Sequence, residues 1–164
     1  TSIDYKKDAK LTRRFFATVQ NKMHVAAHGK TAAELVYERA DAKKPNMGLT
    51  NFKGDYITSD DVEVAKNYLS EEELNVLNLI VSQYLDFAEL QATRQRAMTM
   101  QQWIDKLDEF LKISDSSVLV GAGKIKHEQA MVKAKQEFKK YRDKEMRQLE
   151  SDFDKATKVL RKES

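Results

Sequence analysis

The chain has 164 residues and a mass of 18.9 kDa, which is a normal size for one domain. It contains no cysteine, which excludes disulfides, a thiol nucleophile and cysteine-ligated zinc. The net charge of +3 is far from that of a dense nucleic-acid binder, and no apolar run reaches the roughly 18 residues of a membrane span. We therefore expect a single cytoplasmic domain over residues 1–164, with no membrane partner.

Glycine and proline are scarce, with five Gly and one Pro in the whole chain. Three long stretches, 1–28, 55–120 and 124–164, contain neither residue and are rich in Glu, Lys, Ala, Leu and Gln. These residue types favour helices, and the rare breakers mark the corners between them. The sequence predicts a mostly α fold, a multi-helix domain that ends in a long helix over about residues 125–162.

The first stretch carries an apolar stripe that repeats every four positions over residues 11–27. Side chains at this spacing share one helix face, so the stripe predicts a first helix that stops at Gly29. The pattern Thr31-x-x-Glu34 is a capping box. It predicts a second helix that runs to about Asp41.

Residues 43–58 do not show a helical pattern. A turn followed by short apolar groups predicts a small β-hairpin around residues 49–58. Two further capping boxes begin at Ser70 and Thr99, and each predicts the start of a helix.

The long last helix has apolar residues along one side from Met131 to Leu160. Aromatic residues, including Phe138, Tyr141 and Phe153, fall on the same stripe. We interpret them as core residues and not as base-stacking platforms, because the charged side of such a helix is usually a solvated face.

Two histidines, His24 and His28, lie one turn apart beside the apolar stripe of the first helix. Imidazoles at positions i and i+4 can reach one point in space, which is the geometry that helical metal sites use. They are candidate ligands for a divalent metal, zinc or manganese, although no cofactor is favoured. The other interpretation is that they are cations near a helix C-terminus, where the helix dipole favours positive charge.

Acidic residues on the second helix, Glu38 and Asp41, lie on one row that faces back toward the first helix if Gly29 reverses the chain. We expect this row to pair with the two imidazoles, with Arg39 at its edge and residues 46–48 closing over it. The cluster is either a structural network or a metal- or phosphate-binding site. The candidate catalytic residues are His24, His28, Glu38 and Asp41.

The run Gly29-Lys30-Thr31 looks like the end of a phosphate-binding loop, but the glycine that should come five positions earlier is absent, which excludes a Walker site. The free N–H groups at the start of the second helix, together with Lys30, could still hold one anion. The candidate ligand- or anion-binding residues are Lys30, Thr31, Arg39 and Asn46.

Longer segments of the sequence carry a family resemblance. They are residues 15–22, His24, 28–29, 31–34, 38–41, 44–50, 65–69, 98–100, Trp103, 106–108, 110–111 and 150–154. These segments resemble the core of the bacterial RhuM family of virulence-associated proteins. The resemblance implies two-part proteins with an N-terminal helix-turn-helix-like module, so this chain would be the C-terminal domain alone, which also agrees with its missing initiator Met. Nucleic acid would then be bound only through the missing module.

The family resemblance implies no established reaction. Some relatives are named together with Fic/Doc proteins, helical enzymes that transfer nucleotide or phosphate groups. With His24 on the histidine of their loop, Gly29 matches its first glycine, but the phosphate-binding residues do not match. We therefore predict a helical effector or assembly domain that forms a homo-oligomer or binds a protein partner. The alternative is an enzyme or ligand-binding domain centred on the two histidines.

Overall fold

The computed structural model of the chain describes Asp4 and residues 10–163. Within these residues the fold is mostly α, as predicted, with a long C-terminal helix. The α-helices are α1 Lys10–His28, α2 Ala32–Arg39, α3 Glu71–Thr93, α4 Met100–Ile113 and α5 His127–Glu163, and the short 3-10 helices are η1 Pro45–Gly48, η2 Asp61–Glu63 and η3 Ala65–Tyr68. Apart from Asp4, the part of the first predicted helix before Lys10 lies outside the described residues.

The starts of α3 and α4 are set by their capping boxes. In α3, the Glu73 backbone N–H donates to Ser70 Oγ at 3.2 Å and the Ser70 backbone N–H donates to Glu73 Oε1 at 2.9 Å. Thr99 and Gln102 form the same reciprocal pair at the start of α4. Each box satisfies two N–H groups that a helix cannot pair internally, which confirms both predicted starts.

The chain divides into two compact units, each assembled from two separate stretches. The first contains Thr1–Leu35 and Leu69–Lys126, and the second contains Val36–Tyr68 and His127–Ser164. The single domain predicted over residues 1–164 stays a prediction.

In the first unit, α1 packs against α3 and α4. Leu77, Leu107 and Leu111 are completely or almost completely buried in its core. The Tyr84 hydroxyl donates to the Trp103 carbonyl oxygen at 2.5 Å, which ties α3 to α4. Burial raises the pKa of Tyr84, and the nearby charge of Asp108 on α4 raises it further.

The buried face of α1 differs from the predicted stripe. Leu11 is 62% exposed, whereas Lys22 is buried. Lys22 Nζ donates to the Leu119 carbonyl oxygen at 2.7 Å and lies 2.8 Å from Asp108 Oδ1. The buried ammonium is thus paired with a carboxylate of α4, and its bond to Leu119 also holds the segment after α4.

In the second unit, the first part of α5 packs against η1 and η2. Ala130 and Ala134 are completely buried, and so are Met47 in η1 and Val62 in η2. The Tyr68 hydroxyl donates to the Val62 carbonyl oxygen at 2.6 Å, which joins η3 to η2. Small residues on α5 allow the 3-10 turns to approach the helix closely.

The predicted β-hairpin around residues 49–58 is wrong, because this segment contains no strand. The predicted turn before it is present as η1, where Asn46 and Met47 have φ angles of 53° and 48°. After the turn, the Thr50 backbone N–H donates to the Asn67 carbonyl oxygen at 2.7 Å. The backbone N–H groups of Thr50 and Asn51 both donate to Asn67 in η3, so they are not available to pair two hairpin strands.

Candidate functional site

The two histidines of α1 lie in contact, as their spacing of four residues predicts. His24 Nδ1 is 2.8 Å from His28 Nε2, and the ring centres are 5.1 Å apart at 72°. His24 is buried and His28 is half-buried. One ring donates this hydrogen bond and the other accepts it, so a single proton lies between them.

The described residues, Asp4 and 10–163, contain no group of three or more His, Cys, Asp or Glu side chains placed to hold a metal ion. Zinc sites use three or four protein ligands, and His24 with His28 supplies two. The divalent metal at these histidines stays a prediction.

At the start of α2, Thr31 and Glu34 form the predicted capping box. The Thr31 backbone N–H donates to Glu34 Oε1 at 2.9 Å, and the Glu34 backbone N–H donates to Thr31 Oγ1 at 3.2 Å. The hydrogen bond from the Thr31 backbone lowers the pKa of Glu34, and Lys124 contributes to the lowering.

Other parts of the first unit also close over the start of α2. The Ala32 backbone N–H donates to Asn21 Oδ1 at 3.1 Å. A side chain at Gly123 would place its Cβ 2.7 Å from Thr31 Cγ2, so only glycine fits there. Protein oxygens therefore accept from the N–H groups of Thr31, Ala32 and Glu34. The anion site at Lys30 and Thr31 stays a prediction that would need other donors.

The remaining candidate residues belong to the second unit. Arg39 Nη1 donates to the Tyr68 carbonyl oxygen at 3.0 Å, and Asp41 Oδ1 accepts from the Lys43 backbone N–H at 2.9 Å. Glu38 and Asn46 are exposed. Arg39 and Asp41 thus each have a backbone partner within the second unit. The predicted cluster of both histidines with these residues draws on both units and stays a prediction.

The turn at η1 does close over the end of α2, within the second unit. The Asp41 backbone N–H donates to the Met47 carbonyl oxygen at 3.1 Å. Gly48 has a φ of +91°, and a Cβ there would lie 2.1 Å from the Arg39 carbonyl oxygen. Glycine is required at this position both by the backbone angle and by the close approach.

A groove of about 610 Å³ lies in the second unit, on the side of η1 and α5. Its lining includes the aromatic residues Phe52, Tyr56, Phe138 and Tyr141. Arg142 lies over Phe138, with 5.5 Å between the guanidinium carbon and the ring centre. Burial raises the pKa of Tyr141. From their spacing we expected Phe138 and Tyr141 in the core, and no sequence pattern indicated a groove.

The largest departure from the sequence analysis lies in residues 142–163, which we call the exposed segment of α5. Every side chain in it is exposed except the half-buried Thr157. Leu149, Phe153 and Leu160 are 64%, 71% and 67% exposed. The apolar stripe that we interpreted as core is therefore uncovered in this part of the helix.

Comparisons with known proteins come from families, curated proteins and solved structures. The family model described as the virulence protein RhuM family matches residues 1–150. No curated protein matches the chain, and no solved structure matches it. None of the helices in the described part of the chain combines the length and apolar character that a membrane crossing requires. Since the family model spans most of the sequence, the chain belongs to the RhuM family of virulence proteins.

Proposed function

We propose that this chain is a helical assembly domain of a RhuM family protein and that it binds an amphipathic helix along the exposed segment of α5. The observation that carries the proposal is the uncovered apolar stripe between Met146 and Leu160. Exposed apolar patches of this kind mark interaction surfaces in folded proteins.

The spacing of the stripe supports a helix as the binding partner. Met146, Leu149, Phe153, Ala156 and Leu160 are separated by three, four, three and four residues. This is the alternation of a and d positions in a heptad, which forms the seam between two helices in a coiled coil. Charged residues occupy most of the other positions, so one side of the segment is apolar and the other is solvated.

Helix stability gives a second reason. Most helical stability in proteins comes from the packing of an apolar face against other segments and not from helix propensity. The exposed segment of α5 spans six turns without a buried side chain. A partner helix on the stripe would supply the missing packing.

A labelled helical peptide tests the proposal. The peptide carries leucine at its a and d positions and uncharged residues beside them, and its binding to the whole chain is followed by fluorescence anisotropy. We expect Phe153→Asp to weaken binding at least about tenfold, since an aspartate in the seam must be desolvated. Ser151→Asp adds the same charge on the opposite side of the helix and should leave binding unchanged. Equal binding by the wild type and Phe153→Asp would contradict the proposal.

The hydrogen bond between His24 and His28 favours one alternative, a ligand-binding or enzymatic site of distant Fic/Doc character. In that case zinc, manganese or inorganic phosphate should raise the melting temperature of the wild-type chain. The same additions should leave His28→Ala unchanged. A structural role predicts that His28→Ala lowers the melting temperature while none of the additions stabilises either protein.

A further inference from the structure

We infer that the helix bound by the exposed segment of α5 is the same segment of a second copy, in antiparallel orientation. The inference rests on the proposed function and names the partner of that stripe. Three observations support it: the distribution of charge along the segment, the residues at the positions beside the seam, and the sizes of the seam side chains.

Charge changes sign along the exposed segment. Residues 142–154 contain five acidic and three basic residues, which gives a net charge of −2. Residues 155–163 contain four basic and one acidic residue, which gives a net charge of +3. An antiparallel pair places each acidic part beside the basic part of the partner, whereas a parallel pair places like charges together. Over the short distances of a helix pair such complementarity fixes orientation.

The positions beside the seam disfavour a parallel pair. With Met146, Phe153 and Leu160 at a, the e and g positions contain Glu145, Glu150 and Asp152. In a parallel coiled coil, g contacts the e position that follows on the partner, so Glu145 would face the partner's Glu150.

Antiparallel pairing removes this repulsion. In that orientation e faces e and g faces g. Glu150 then lies opposite the partner's Thr157, and Asp152 lies opposite the partner's Val159, so no acidic pair forms. The two acidic positions acquire neutral neighbours at the seam.

The seam residues are also complementary in size. When the two-fold axis lies between Asp154 and Lys155, Phe153 packs against the partner's Ala156 and Leu149 packs against the partner's Leu160. Two-fold symmetry repeats each contact, so the large ring meets a small residue twice. A large side chain opposite a small one fills a helix seam without a void or a clash.

The absence of cysteine makes orientation directly measurable, because introduced cysteines have no native competitor. We expect an equimolar mixture of Leu149→Cys and Leu160→Cys chains to form a mixed disulfide dimer under mild oxidation. Leu149→Cys alone should not, since two copies of residue 149 lie eleven residues apart along the antiparallel pair, about 16 Å. Efficient disulfide dimers of Leu149→Cys alone would overturn the antiparallel arrangement.

Charge variants test the source of the orientation. In sedimentation velocity at low salt, Lys155→Glu/Lys162→Glu and Glu150→Lys/Asp152→Lys should each dimerise about tenfold more weakly than the wild type. A mixture of the two variants should regain dimerisation, because their altered parts attract each other. A dimer that Lys155→Glu/Lys162→Glu leaves unchanged would overturn the inference.

The outcomes separate this inference from the proposed function. A wild-type chain that stays monomeric at all concentrations but binds the labelled peptide through Phe153 would overturn the second copy as partner and keep the assembly role. A chain that neither dimerises nor binds the peptide would overturn both.

Discussion

The two parts of α5 have the same helical periodicity but different surroundings. Between His127 and Tyr141, the stripe contains Ala130 and Ala134, which are completely buried against the 3-10 turns. In the exposed segment, larger residues such as Leu149 and Phe153 are uncovered. Periodicity therefore shows which residues share a face. Side-chain size and the neighbouring segments decide whether the chain itself covers that face.

The largest loss of stability is expected at Gly48 in η1, the turn that packs against the first part of α5. Gly48→Ala should lower the free energy of unfolding by more than about 3 kcal/mol, because it combines left-handed strain of about 1–2 kcal/mol with a backbone clash. Gly29 is a matched control, with a φ of +89° and no atom within 4 Å of an added Cβ. Gly29→Ala should be destabilised only by the left-handed backbone strain. Urea unfolding followed by circular dichroism compares the two variants, and equal losses would show that the close approach at Gly48 does not matter.

The same substitution in both parts of α5 tests the comparison most directly. Ala134→Leu places three extra carbon atoms in a completely buried site and should cost about 1–3 kcal/mol of unfolding free energy. Ala156→Leu makes the same change on the exposed segment and should stay within about 0.5 kcal/mol. Both are measured by urea unfolding in dilute protein. Equal costs would mean that the exposed segment is packed in solution.

Acid should destabilise η2, which packs against the first part of α5. Asp61 in η2 is buried, and Thr58 donates to its Oδ2 from both the backbone N–H and the hydroxyl, each at 2.9 Å. The backbone hydrogen bond lowers the pKa of Asp61 below its ordinary value of 3.8. This contribution is therefore complete above pH 3.8 and is lost as the pH falls through the lower folded-state pKa.

Asp61→Asn isolates the contribution of this carboxylate. The amide cannot titrate, so the variant should lose less stability than the wild type between pH 5 and pH 2. Urea midpoints measured across that range give the comparison. If stability falls equally with pH in both proteins, the acid sensitivity comes from other carboxylates. Glu34 is one such group, because a backbone hydrogen bond lowers its pKa as well.

The smallest loss of stability is expected at Phe153, the aromatic residue of the proposed seam. Phe153→Ala should change the unfolding free energy by less than about 0.5 kcal/mol in dilute protein, since the ring is 71% exposed. Dimerisation measured on the same variant should weaken. A large loss of stability in the dilute monomer would place Phe153 in a core and remove the distinction between the two parts of α5.

Local features of the fold could be predicted from the sequence. The capping boxes at Thr31, Ser70 and Thr99 depend on side chains three residues apart, so their pattern is complete in the sequence. The contact between His24 and His28 follows from helical geometry in the same way. Such predictions succeed because no distant residue is needed to decide them.

Distant contacts could not be predicted. The stripe of α1 gave no sign that Lys22 would be buried, because its partner Asp108 is 86 residues away in the sequence. The hairpin prediction was wrong for a related reason, since the hydrogen bonds from Thr50 and Asn51 to Asn67 form only in the folded unit. For the candidate site, the histidine pair and the capping box at Thr31 followed from spacing, whereas the exposure of Phe153 depended on which segments cover α5.

The division of each unit into two stretches has a consequence for synthesis on the ribosome. Residues 36–68 leave the ribosome well before α5, so Met47 and Val62 must wait for Ala130 and Ala134 to be translated. At synthesis rates of about 5–20 residues per second, this interval lasts several seconds. During that time residues 69–126 of the first unit are translated, so the first unit can fold before the second. In the nascent chain, the core residues Met47 and Val62 therefore lack their α5 partners, and chaperones can recognise them, until Ala130 and Ala134 have been translated.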